Sequence, residues 1–273
     1  MRRPVLACAL ALALLPAALF GWNTQDRIVH QVDHVLFATP AGPALVTLLT
    51  DRLSLPLIWP QPGDEWTATT GIGLGNVTLE VFPRPPAPAG EAPVPARINS
   101  LALQPTGLDA ALRELQARGI DHVRSEPAAR WINVPLRGFG HGLFLIQYVF
   151  DMDERRARFD RVLRERDGGP LGILRVREVA IEVDSVAPVR PLWTKLLGSP
   201  VSGDSDVWAA GDGPRIRLVN PGDPRAGQLI VEVKSLSRAT DALRRLGIGA
   251  EAAGREIRIA PAAASGLRLV LRE

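Results

Sequence analysis

Gln31-Val32-Asp33-His34-Val35-Leu36-Phe37 is a strand-like stretch that sets His34 inside a largely apolar run, and the pattern around it recurs three more times along the 273 residues. The recurring unit is a short apolar strand, an amphipathic helix and then further short strands, with Pro- or Gly-bearing turns between them. His34 falls in the first strand of the first unit. Glu80, in Asn76-Val77-Thr78-Leu79-Glu80-Val81-Phe82, falls in the last strand of that unit.

The helices carry the repeat most clearly. Residues 44–53 have helical apolar spacing and exit through Ser54-Leu55-Pro56-Leu57, and residues 191–197 repeat that helix and exit through Gly198-Ser199-Pro200-Val201. Residues 108–120 are echoed in the same way by residues 240–248, so unit one pairs with unit three and unit two with unit four. Apolar strands precede each helix, at 33–38, 99–104, 176–183 and 229–233, and shorter β-like runs follow each. The spacing predicts an α+β fold of four tandem βαβββ modules. Two modules make residues 30–150, a charged linker helix spans 151–170, and two more make 171–273. Residues 83–95 form a Pro/Ala-rich connection within the first pair, and Gly71-Ile72-Gly73-Leu74-Gly75 reads as a hairpin turn.

Apolar residues make up 46% of the chain, ample for a buried core, and the formal charge is only +3. The densest arginine run, 155–166, is interleaved with Asp153, Glu154, Asp160 and Glu165, which argues for a solvated helix face and against a nucleic-acid footprint. Arg2 and Arg3 precede an apolar run over 5–20 that is short for a membrane span. Residues 1–22 are therefore expected to be an export signal or an uncleaved N-terminal anchor, with the remainder periplasmic or secreted. Cys8, the sole cysteine, lies within that segment, so the rest of the chain has no disulfide and no thiol nucleophile.

With this module order, and with Val32-Asp33-His34-Val35 on a first strand and Leu79-Glu80-Val81 on a fourth, the chain resembles the vicinal oxygen chelate superfamily of glyoxalase I, extradiol dioxygenases and the bleomycin- and fosfomycin-resistance proteins. The resemblance covers about residues 30–272. It implies two curved mixed sheets, each built from two modules, with a divalent metal on the concave face held by residues of the first and fourth strands. Carried over residue by residue, it places His34, Glu80 and Gln147 as metal ligands and Ser100 at the remaining first-strand position. In the second half the same positions fall on Glu178, Gln228 and apolar residues near Leu218 and Val270, which leaves no metal site there. Extradiol dioxygenases of the four-module kind hold iron in that half, so the resemblance to them stops at architecture.

One imidazole, one carboxylate and one amide oxygen would suit zinc, nickel, manganese or iron and leave positions open for substrate oxygens. Glu80 is the candidate catalytic carboxylate, but if it binds the metal no family-position carboxylate remains as a base. A buried Glu80 costs several kcal/mol unless paired, and His34 itself is one available partner, which would make a metal-free His–Glu pair. Ser100, Trp59, Trp131 and His141 are the candidate pocket residues, His141 through the glycine-rich loop Gly138-Phe139-Gly140-His141-Gly142. The expected function is an exported protein acting on or binding a small molecule in the N-terminal half through a divalent metal, with lyase, isomerase or dioxygenase chemistry. The alternative is a non-catalytic binding or sequestration protein with a relict site.

Overall fold

The alternation around His34 becomes strand β1 (Val29–Thr39), whose Val32, Val35 and Phe37 are buried in the core. This is a computed structural model, and it describes residues 27–60, 68–85, 88, 90–92, 94–128 and 130–273. The segment expected to be an export signal or N-terminal anchor, residues 1–22, lies outside the described residues. Among those described, no helix is long and apolar enough to cross a membrane.

Unit one continues through α1 (Gly42–Thr47), which widens into a π-helical turn over Leu48–Arg52, and then β2 (Leu57–Trp59), β3 (Thr70–Gly73) and β4 (Thr78–Pro83). Unit two is β5 (Arg97–Pro105), α2 (Leu108–Ala117), β6 (Trp131–Leu136) and β7 (Gly142–Tyr148). After α3 (Met152–Glu165), unit three is β8 (Ile173–Glu182), α4 (Val186–Leu197), β9 (Val207–Trp208) and β10 (Arg215–Val219). Unit four is β11 (Gln228–Val233), α5 (Leu236–Arg245), β12 (Ala250–Ala253), β13 (Glu256–Ile259) and β14 (Arg268–Arg272). Units one and four thus have three strands after the helix, and units two and three have two among the described residues. In unit two the missing strand survives as a looser run beside β6, where Val123 and Ser125 donate to the Pro135 and Asn133 carbonyls and His122 bridges Leu136.

The strands form two seven-stranded mixed sheets of matching order, β2-β3-β4-β1-β5-β7-β6 and β12-β13-β14-β11-β8-β10-β9. Each unit's first strand runs parallel to its last, and the two units of a half meet through antiparallel first strands. One face of the first sheet is covered by α1 and α2 through Leu45, Leu48, Leu49, Leu108, Ala111 and Leu115, and one continuous apolar cluster runs through both halves. The halves are also tied by polar backbone pairing, since Asn76 both donates to the Val176 carbonyl and accepts from its amide.

The glycine string read as a hairpin turn lies largely inside a strand: Gly71 and Gly73 belong to β3, and only Gly75, at φ +88°, makes the turn. Gly71 faces Trp59 across the β2–β3 pair, and a Cβ there would sit 2.5 Å from the indole. Its missing side chain is what lets the tryptophan lie flat on the sheet.

The linker helix α3 has the solvated face read from its charges, with one arginine turned inward from it. Asp151 caps it, accepting from the Glu154 amide at 2.8 Å. Met152 and Phe159 then pack with Ile58, Trp59 and Tyr148 across the face of the first sheet opposite α1 and α2. Most of the arginines do point to water, but Arg156 turns inward and is only 14% exposed. Alternating charge along a sequence cannot show which single guanidinium a neighbouring carboxylate will draw in.

Candidate functional site

The geometry of the site begins with a fault in β1. Val32 pairs with Leu103 and His34 with Ala102, so Asp33 is an extra residue, a β-bulge. A regular strand would send Asp33 and His34 to opposite faces, whereas the bulge lets both join one cluster on the concave face. Asp33 Oδ1 lies 2.5 Å from His34 Nδ1, and His34 Nε2 lies 3.1 Å from Glu80 Oε2. Tyr148 Oη donates to Asp33 Oδ1 at 3.0 Å, Arg156 Nη2 donates to Asp33 Oδ2 at 2.5 Å, and Thr69 Oγ1 donates to Glu80. The result is a buried line of charges, Arg156–Asp33–His34–Glu80, two positive and two negative.

Burial alone would depress the His34 pKa, but hydrogen bonds and charge from Asp33 and Glu80 outweigh it and push it up to about 9. The ring is an imidazolium at neutral pH. Burial opposes ionisation of Asp33 and Glu80 as well, yet His34 holds both below the usual carboxylate range, with Arg156 and Tyr148 helping at Asp33 and Thr69 at Glu80. Tyr148 stays neutral, its pKa raised well above 10 by burial and the adjacent Asp33. Trp59 and Phe144 close on the imidazole edge-on, with ring centroids at 5.9 and 5.8 Å.

Of the residues expected at the site, His34 and Glu80 are brought together and Trp59 stands beside them. Ser100 occupies the place in unit two that His34 holds in unit one: a register shift between Leu36 and Phe37 makes Asn99 the extra residue of β5, as Asp33 is of β1. Gln147 is not brought to them. It shares the parity of Leu143 and Leu145, both buried in the core, and donates to the Tyr148 carbonyl. Counting from the parallel β5–β7 register, the fourth-strand position of unit two is Phe144, three residues earlier. Trp131 pairs with Tyr148 and shares its face, while His141 lies apart, in a cleft between the halves.

In the second half, a bulge at Arg177 aligns Glu178 with His34, and the β8–β10 register aligns Arg217, not the neighbouring Leu218, with Glu80. Arg217 grips Glu178 at 2.6 and 3.2 Å and Asp204 at 2.7 Å. The two halves therefore hold an ion pair at the same two positions with the charges exchanged. The sequence missed Asp33, Arg156 and Arg217 for related reasons. Asp33 sits at a core parity that only a bulge relieves, and an aspartate amid such a run was the available signal.

These residues do not fit a resident divalent cation. Asp33 and Glu80 contact opposite nitrogens of His34, so the three groups form a line and do not converge on a point, and no group of three metal-ligating side chains is poised for an ion among the described residues. The remaining first- and fourth-strand positions are Ser100 and Phe144. A ligating imidazole must also be neutral, whereas this setting stabilises the protonated ring.

No protein-family model matches the chain, and no curated protein matches it in sequence. Solved structures do match in shape. Homoprotocatechuate 2,3-dioxygenase from Brevibacterium fuscum, in its complex with 3,4-dihydroxyphenylacetate, superposes with TM-score 0.60 at 11% identity, covering 90% of this chain and 80% of that one. The 2,3-dioxygenase LapB from Pseudomonas sp. KL28 gives 0.59 at 13% identity over 90% and 92% of the two chains. The halotolerant catechol dioxygenase BphC gives 0.56 at 14% over 89% and 86%. The chain has the vicinal oxygen chelate fold. It shares the extradiol dioxygenase arrangement of that fold, two halves of paired modules, as the repeat predicted. Within this vicinal oxygen chelate framework, ion pairs stand at the first- and fourth-strand positions of both halves.

Proposed function

We propose that this chain is a metal-free small-molecule-binding protein that takes an aromatic ligand on the concave face of its first sheet, and that it works outside the cytoplasm. The linear Asp33–His34–Glu80 chain carries this reading, because it uses both imidazole nitrogens and faces Phe144 where a third ligand would be needed. Arg156 and α3 close one end of the concave face. At the other end Leu36, Phe82 and Phe144 are partly exposed, Phe82 at 46%, beside Glu80, which is itself 14% exposed. On the same face Asn133 Oδ1 is buried without a hydrogen-bond partner, a polar anchor amid apolar walls. The dioxygenases of like fold include one crystallised with a dihydroxyphenyl acid, which makes that compound a natural first probe. Export is supported by Arg2, Arg3 and the apolar run behind them.

Metal analysis of the purified chain together with thermal-shift titration of 3,4-dihydroxyphenylacetate and related phenols tests the proposal. Substoichiometric metal, and a ligand-induced rise in Tm that survives chelator but is lost in Phe144→Ala, are expected. Stoichiometric metal whose removal abolishes ring cleavage would overturn it.

A further inference from the structure

A cleft of about 490 Å³ between the halves is walled by the start of β5, the loop carrying His141, the end of β8 and the start of β14. That volume suits a molecule of small-metabolite size. Elsewhere on the second half several charges are paired: Arg175 and Arg177 share Glu232, Arg217 is held by Glu178 and Asp204, and Arg258 and Arg272 share Glu256. In the cleft they are not. Among the described residues Arg97, Glu182 and Asp184 make no ion pair, and Arg268 is bonded only to the Pro224 and Ala226 carbonyls. The His141 ring lies beside the Glu182 backbone, and its Nε2 is buried without a hydrogen-bond partner. Burial holds the ring neutral, with a pKa pushed down to about 4, so Nε2 is a buried polar atom of an uncharged ring with no partner.

Two carboxylates and a neutral imidazole, with two guanidinium groups kept out of ion-pair reach of the carboxylates, form a site of split polarity. We propose that this cleft binds a small zwitterion of amino-acid type, its ammonium group toward Glu182 and Asp184 and its carboxylate toward Arg97 and Arg268. The site is separate from the concave face of the first sheet and stands whether or not an aromatic ligand binds there.

Isothermal titration calorimetry on the full chain tests this with ω-amino acids from glycine to 6-aminohexanoate, each beside its alkylamine and alkanoate counterparts of single charge. At least one zwitterion is expected to bind saturably, with both single-charge counterparts weakened ~10-fold or more. Arg97→Ala and Glu182→Gln, both exposed and thus compatible with folding, are each expected to weaken that zwitterion ~10-fold, and Phe144→Ala on the other site to leave it unchanged. Absence of binding by every probe, equal binding of a single-charge counterpart, or undiminished binding by both cleft variants would overturn the assignment.

Discussion

Raising the pH from 6 to 9 should unlock the first half without any mutation. In the folded chain His34 keeps its proton up to about pH 9, whereas the unfolded chain releases it near the ordinary histidine value of 6.5. The folded state therefore holds the proton more tightly. The stabilisation is fully present below pH 6.5, declines as the pH rises, and is lost as the pH passes 9. At 1.36 kcal/mol per pKa unit, and with His34 only 4% exposed, the contribution is about 3 kcal/mol. Most of it should disappear between pH 6 and 9, a large share of the 5–15 kcal/mol that typically holds a folded domain. Urea titrations across this window, read by tryptophan fluorescence, would give the stability profile. Two-dimensional NMR of the four histidine rings would report the His34 pKa itself. A ring that titrates near 6.5, or a stability flat from pH 7 to 9, would refute the imidazolium flanked by two carboxylates.

His141 should act in the opposite sense. Its folded pKa lies near 4, so stability should fall as the pH drops from 6.5 toward 4, and the full profile should peak near neutrality. Arg156→Ala strips the guanidinium from a fully buried Asp33, which keeps His34 and Tyr148, and should cost about 3 kcal/mol by chemical denaturation, the lower end for breaking a buried pair. Arg217→Met should cost about 1–3 kcal/mol, because Asp204, at 39% exposure, regains water on losing its partner whereas Glu178, at 12%, is left underpaired. Gly71→Ala should push the Trp59 indole off the sheet and break its 3.2 Å bond to Thr69. A loss of about 1–3 kcal/mol with a changed near-UV spectrum is expected.

The module order, the pairing of units and the polar pair His34 and Glu80 were legible in the sequence because each rests on local periodicity. Helical spacing at 44–53 and 191–197, and alternation around His34, survive folding unchanged. What escaped depends on pairing between strands. The one-residue bulge at Asp33 shifts everything counted along β1 by one, and the equivalent in β5 does the same, so no strand read alone shows which residues share its face. The resemblance carried over along the sequence puts the fourth-strand position of unit two at Gln147, whereas the β5–β7 register puts it at Phe144. Leu218 and Arg217 are adjacent, and only the β8–β10 register decides between them. The role of α3 was invisible for another reason. An amphipathic charged helix reads the same whether its inward residue meets solvent or a buried aspartate 123 positions away.

α3 is at once the connection between the halves and the source of the counter-charge for Asp33. A cut placed at residue 150, where the repeat suggests a clean seam, would leave the N-terminal half with one positive charge against two buried carboxylates and with Ile58 and Trp59 uncovered. Modularity in this chain is thus a property of its sequence pattern and not of its folded parts. The repeat unit can be duplicated on paper at residue 150, but the smallest piece able to stand alone extends at least through Arg156 and Phe159.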